Sequence, residues 1–223
     1  MASPAVSSEP SEGVIKFAAA HAAGALTSAG RDSVLQLRGW RSILFRLGLL
    51  GQDPARYDGA AYGNVSARIG PLPGERGARP FVVSATQTGG LALINDDSFA
   101  VVTSWDMKRN RVISRGPALP SSESMTHGAV YDVSPTIRAV LHVHAPSIFS
   151  AARVLALPAT APGIDYGTSA MAHEVARLWR TTSLPDTRVF VMTAHLDGVV
   201  AFGANVDEAG AALLKVFARA STG

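Results

Sequence analysis

The chain has 223 residues, 47% hydrophobic and 17% charged, with 20 Lys+Arg against 17 Asp+Glu and a formal net charge of +3. This is enough apolar material for one large domain, and it excludes a disordered or fibrous chain. No run of basic residues argues for nucleic-acid binding, and no apolar stretch approaches the roughly 18 residues of a membrane helix.

Cysteine is absent, which excludes disulfides, thiolate metal ligands and cysteine nucleophiles and is compatible with a cytoplasmic location. Residues 1–13 are rich in Ser, Pro and Ala and lack a basic n-region, so they read as a flexible tail and not as a secretory signal. One domain is expected over residues 14–223. Its first segment, Ile15 to Thr27, is Ala-rich and reads as helix. A stronger helix follows Asp32-Ser33, where Val34, Leu35, Leu37, Trp40, Ile43, Leu44, Leu47 and Leu50 recur at helical spacing and Gly51 stands past the end.

Gly63-Asn64 leads into a period-two strand at Val65 to Ile69, and Gly70 to Pro80 is a turn-rich loop. Phe81 to Ser84 is the next strand, running into the loop Ala85 to Gly90. Strands are then expected at Phe99 to Ser104 and at Val112 to Ser114. Pro120-Ser121-Ser122-Glu123 reads as a helix start with serine caps, the helix ending near Asp132 before Ser134-Pro135. Ala139 to His144 is an apolar strand, Ser147 to Leu155 and Thr168 to Trp179 are helices, and Arg188 to Thr193 and Val199 to Gly203 are strands joined through His195-Leu196-Asp197-Gly198. Asp207 to Ala218 closes the chain as an amphipathic helix. Adjacent strands joined by hairpins with interspersed helices give an α/β class, a mixed, largely antiparallel central sheet flanked by helices.

His142 and His144 stand two apart in the strand Ala139-Val140-Leu141-His142-Val143-His144, so both imidazoles face one side while Leu141 and Val143 face a core. Such a pair is either a chelate for a divalent cation or a structural pair bonded to backbone. His195, at the mouth of the last hairpin, would complete a three-histidine set with an open position, the pattern of a catalytic metal site. Glu123 is the candidate for a fourth ligand or general acid/base, or else a charge favouring the helix N-terminus. His127, one turn later, lines the site or is a satisfied helix histidine; His21 and His173 read as surface residues.

Gly63-Asn64-Val65-Ser66, Ser84 to Gly89, Pro120 to Glu123 with His127 and Tyr131, His142-Val143-His144, Gly167-Thr168 and His195 occur in this order. Taken together they resemble the class II aldolase/adducin family, and within it the pattern of the L-fuculose-1-phosphate aldolases, over about Leu35 to Ala218. The resemblance implies a metal-dependent lyase that makes or breaks a carbon–carbon bond in a small ketose-phosphate-like or hydroxy-keto substrate through a metal-stabilised enediolate. It implies a divalent metal, zinc first with manganese, iron or cobalt as alternatives, on His142, His144 and His195, and Glu123 as acid/base. It assigns Asn64, Thr88, Gly89, Ser121 and Ser122 to the substrate phosphate, where capping and a hairpin turn are the competing readings for the serines and for Thr88-Gly89. No lysine Schiff base is needed, and Lys16, Lys108 and Lys215 fall in no motif.

The same resemblance implies a homotetramer and a small anionic substrate. Dehydratase, epimerase and decarboxylase chemistry on the same metal site are its alternatives; aspartate at the Glu123 position marks the epimerase pattern, so glutamate favours the aldolase or dehydratase. A non-catalytic adducin-like module is the alternative from another class, opposed by the presence of all three histidines and the glutamate. The chain departs from the aldolases at His195-Leu196-Asp197-Gly198, where Asp197 is a turn residue or orients His195. It also lacks the loop and tail tyrosines of that pattern; Tyr166 lies near that loop in sequence without being equated to it.

Overall fold

The computed structural model describes residues 13–70 and 74–222. Except for Gly13, the tail expected over residues 1–13 lies outside the described residues. The elements are β1 (Ala18–Ala23), α1 (Ser28–Arg46), β2 (Gly51–Gln52), β3 (Ala61–Tyr62), β4 (Asn64–Arg68), β5 (Phe81–Ser84), β6 (Phe99–Asp106) and β7 (Arg111–Gly116). They continue with α2 (Ser124–Val133), β8 (Ala139–His144), α3 (Pro146–Ala151), α4 (Ser169–Thr181), α5 (Leu184–Thr187), β9 (Val189–Val191), β10 (Gly198–Gly203) and α6 (Val206–Ala220). Eight strands form one sheet in the order β1-β7-β6-β5-β4-β8-β10-β9. Every neighbouring pair in it is antiparallel except β1 with β7, so the expected mixed, largely antiparallel sheet with flanking helices is what the chain builds.

Alternation along the central strands divides two cores. Ala139, Leu141 and Val143 of β8 join Val65 and Ala67 of β4 and Val199 and Ala201 of β10 under α1, α3 and α6. Val140 faces the other way, with Val200 and Phe202 of β10, and packs against Met125, Ala129 and Val130 of α2 and Met171, Val175 and Leu178 of α4. His142 and His144 continue the Val140 row, which sets both rings on the α2 side.

Four expectations need correction. Ile15 to Thr27 is not a helix: Ala18–Ala23 is the edge strand β1, paired in parallel with β7 from Ala18↔Arg111 to Ala23↔Gly116. Alanine's helix propensity amounts to fractions of a kcal/mol per residue, and a six-residue ladder overrides it. Helix α1 begins before Asp32, because the Thr27 hydroxyl accepts from the Gly30 amide at 3.3 Å and caps it. It also ends at Arg46, with Gly48 at φ +70°, so Leu49 and Leu50 are buried beyond the helix and not on it. Helix α3 stops at Ala151, short of the expected Leu155. His21, expected at the surface, is half-buried on β1 with Nδ1 2.9 Å from Ser114 Oγ, whereas His173 is exposed.

Candidate metal centre and active site

The ligand nitrogens of His142, His144 and His195 lie within 4.8 Å of one another, all three residues buried. His142 and His144 arrive on one face of β8. His195 arrives from the β9–β10 connection, because β10 pairs with β8 in the register Gly198↔His144 and carries the turn to the end of that strand. Gly198 is required there: a Cβ would stand 2.5 Å from His195 Cδ2 and 2.9 Å from its carbonyl oxygen, so only glycine lets the imidazole fold back over the hairpin. Asp197, at φ +63°, supplies the left-handed turn residue.

Glu123 occupies the N-cap of α2 and makes no side-chain capping bond. Its carboxylate turns inward instead, with Oε1 3.5 Å from His195 Nε2 and 3.7 Å from His142 Nε2, and it is fully buried. Serines on either side of it hold this turn: the Ser121 hydroxyl accepts from the Glu123 amide at 3.1 Å, and the Ser124 hydroxyl donates to the Ser121 carbonyl at 2.6 Å.

These donors fit a divalent cation. His144 Nε2 and His195 Nε2 are 3.1 Å apart, against about 3.3 Å for two imidazole nitrogens on a tetrahedral zinc with 2.0–2.1 Å bonds. His142 Nε2 is buried without a hydrogen-bond partner. Burial holds the imidazoles in the neutral form that ligates metal: His142 falls to about 4, and His144 and His195 are held well below the usual histidine value first by burial and then by His142 nearby.

His127 stands behind this cluster and outside the trio. It is fully buried, its Nδ1 is 2.6 Å from Ser66 Oγ, and that hydroxyl is 2.7 Å from the Tyr131 hydroxyl. Burial, with His142 nearby, lowers His127 to about 3. Tyr166 does reach the site, its ring centroid 4.6 Å from that of His195 and its hydroxyl held by the backbone of Val14.

Asn64, Gly89, Ser121 and Ser122 line one small cleft together with Gly63 and Gln87. It adjoins the histidine cluster, since Asn64 pairs with His142 across β4 and β8. The Asn64 amide oxygen is buried without a partner. A Cβ on Gly89 would collide with the Tyr62 carbonyl, so only glycine allows this close approach to β3. Thr88 departs from the expectation: it does not line the cleft, because its hydroxyl donates to the Ala85 carbonyl at 2.7 Å and closes the turn.

Sequence reasoning missed three contributors. Arg41, buried on α1, donates to the Thr88 carbonyl at 2.7 Å and the Gly89 carbonyl at 3.0 Å, fixing the cleft loop. Tyr57 and Tyr62 set their rings 4.5 and 5.2 Å from His144. The signal for the tyrosines was their place just ahead of Gly63-Asn64.

The comparisons with known proteins agree with this geometry. The family model described as Class II Aldolase and Adducin N-terminal domain matches residues 53–220. No curated protein matches the sequence. Among solved structures, the sugar-phosphate aldolase from Thermotoga maritima is similar with a TM-score of 0.63 at 16% identity, covering 86% of this chain and 93% of that one. L-fuculose-1-phosphate aldolase from Thermus thermophilus gives a TM-score of 0.60 at 20% identity, covering 84% and 90%. YgbL from Klebsiella pneumoniae, described as a putative aldolase/epimerase/decarboxylase, gives 0.61 at 19%, covering 88% and 90%. At these identities the likeness is one of fold. With the family model spanning most of the chain and the three histidines and the glutamate gathered in the fold, this protein belongs to the class II aldolase and adducin family.

Proposed function

We propose that the protein is a metal-dependent lyase of the aldolase type, acting on a small ketose-phosphate-like or hydroxy-keto substrate. The observation that carries this reading is the Glu123 carboxylate, buried 3.5–3.7 Å from two of three clustered neutral imidazoles, beside a cleft of hydroxyl and amide groups. His142, His144 and His195 hold the metal, zinc first, with manganese, iron or cobalt accommodated because no soft ligand restricts the choice. When bound, a divalent cation supplies Lewis-acid polarisation of substrate carbonyl and hydroxyl oxygens.

The chain's own residues do the rest. Ser121, Ser122 and Asn64, with the backbone at Gly89, hold the anionic end of the substrate beside the N-terminus of α2, which favours negative charge. Glu123, whose Oε1 faces His195 and His142, moves the proton that bond cleavage requires. Tyr57 and Tyr166 border the opening at His195 and limit water there.

The test is activity with metal removed and restored, screened over ketose phosphates and hydroxy acids, with products identified. Aldehyde and ketone fragments that appear only with metal support the reading. An intact dehydrated, epimerised or decarboxylated product would move the chemistry to another branch of the family, and full activity without metal would overturn it. His142→Ala is expected to lose the metal with the fold kept, checked by elemental analysis and circular dichroism. A homotetramer belongs to the same proposal, and a stable, fully active monomer in light scattering overturns that part.

A further inference from the structure

Arg56 and Tyr57, neighbours in the chain, meet Asp197, 140 residues further on from Tyr57, beside the imidazoles. Tyr57 has φ +51° and Asp58 φ +55°. A left-handed aromatic residue is uncommon and persists only where its surroundings hold it. Here the surroundings are specific. The Tyr57 hydroxyl donates to Asp197 Oδ2 at 2.7 Å and accepts from Arg56 Nη2 at 2.5 Å, and Arg56 Nη2 lies 3.5 Å from the same Asp197 oxygen. The Arg56 guanidinium also covers the Tyr57 and Tyr62 rings, 4.8 and 5.2 Å from their centroids.

The two ends of this triad each lead to a ligand. The Tyr57 ring stands edge to face with His144, centroids 4.5 Å apart at 71°. Asp197 sits two residues after His195 in the turn, and its carbonyl accepts from the Ala145 amide at 2.8 Å, just past His144. The Tyr57–Asp197 bond therefore closes a loop that runs from the His144 ring through Tyr57 and the turn to His195. Beyond that backbone bond and the Gly198↔His144 pairing, this is a side-chain tie between the turn that carries His195 and the His144 side of the cluster, and neither core contains it.

We infer that Arg56, Tyr57 and Asp197 form a clamp that positions His195 against His144 for metal binding. The inference rests on the proposed metal centre. These are positioning residues: they act through the ligands, as outer partners of metal ligands do, and such partners are worth roughly 10- to 100-fold in metal affinity.

The experiment compares wild type with Tyr57→Phe, Arg56→Met and Asp197→Asn. Zn²⁺ affinity is read by competition with a chromogenic chelator, the visible spectrum with Co²⁺ in place of zinc, and the melting temperature on metal-free protein. Tyr57→Phe, which keeps the ring and loses the hydroxyl, is expected to weaken Zn²⁺ binding about 10- to 100-fold and to alter the Co²⁺ bands, with the metal-free melting temperature unchanged. Arg56→Met is expected to act in the same direction, and Asp197→Asn, which keeps an acceptor and tolerates positive φ, to retain most of the affinity. Unchanged Zn²⁺ affinity and Co²⁺ spectrum in Tyr57→Phe overturn the clamp alone. So does a fall in metal-free melting temperature that accounts for the whole loss. A wild-type protein that takes up no metal overturns the clamp and the metal centre together.

Discussion

The same three central strands show two different faces. Toward α1, α3 and α6 the residues Val65, Ala67, Ala139, Leu141, Val143, Val199 and Ala201 are apolar from end to end. Toward α2 the row begins as Val140, Val200 and Phe202 and ends as Asn64, His142 and His144. Odd-numbered positions therefore pack the core, and even-numbered ones change along their length from core to the candidate site. The difference teaches that this fold keeps its reactive groups on a rigid support by giving them the second face of strands whose first face is wholly committed to packing.

The largest expected effect separates the faces by chemistry. Glu123→Gln removes the proton-carrying oxygen while keeping the shape of the side chain, so turnover is expected to fall by about 10²- to 10⁴-fold with metal content and melting temperature held. Steady-state kinetics beside elemental analysis check this. Unchanged turnover with metal bound would strip Glu123 of the acid/base role. On the opposite face Leu141→Ala leaves a cavity in a fully buried core, and about 2–5 kcal/mol of stability is expected to be lost with one metal still bound per chain. Urea unfolding measures it, and loss of metal at unchanged stability would contradict the division of labour.

How far the sequence foretells this division follows from the same physics. Period-two alternation is local, so β4, β5, β8 and the shared direction of His142 and His144 are legible, as is the Asp197-Gly198 turn that returns His195. The edge strand β1 is not: alanine specifies no partner, and β7 decides its state. Thr88 is misplaced because composition does not say whether a loop hydroxyl faces a cleft or closes its own turn. Tyr57 and Arg41 stay hidden for a further reason, since the hydrogen bonds that tie them to the site reach residues 47 to 140 positions away.

The next effect is a pH dependence arising from the histidine side. Burial lowers His127 to about 3 and His142 to about 4, and holds His144 and His195 down as well. Because the folded values lie below the ordinary value near 6.5, the unfolded chain takes up protons first as the pH drops. Metal-free protein is therefore expected to have its full stability above about pH 6.5 and to lose it as the pH falls toward the folded values, by at most about 1.4 kcal/mol per histidine per pH unit. Urea unfolding between about pH 7.5 and about pH 5 follows the loss. His142→Gln should flatten the curve, whereas Leu141→Ala should lower it without changing its slope; a slope indifferent to His142 would place its origin elsewhere.

The smallest expected effect sharpens the boundary between the proposed metal centre and the proposed anion cleft. Ser122 lines the cleft, one residue before the N-cap of α2, while the hydroxyl that braces the Glu123 amide belongs to Ser121. Removing the Ser122 hydroxyl should cost one hydrogen bond to substrate, about 1 kcal/mol, without moving the carboxylate. That amounts to a rise in KM of about fivefold for a phosphorylated substrate at nearly constant kcat, since the bond is made equally in the ground and transition states. Ser121→Ala should differ in kind, lowering kcat as well, because the turn that aims Glu123 loses its bond to that amide. Equal KM in Ser122→Ala and wild type would mean that the substrate carries no phosphate into this cleft, and a fall in kcat there would show that Ser122, like Ser121, helps to aim Glu123.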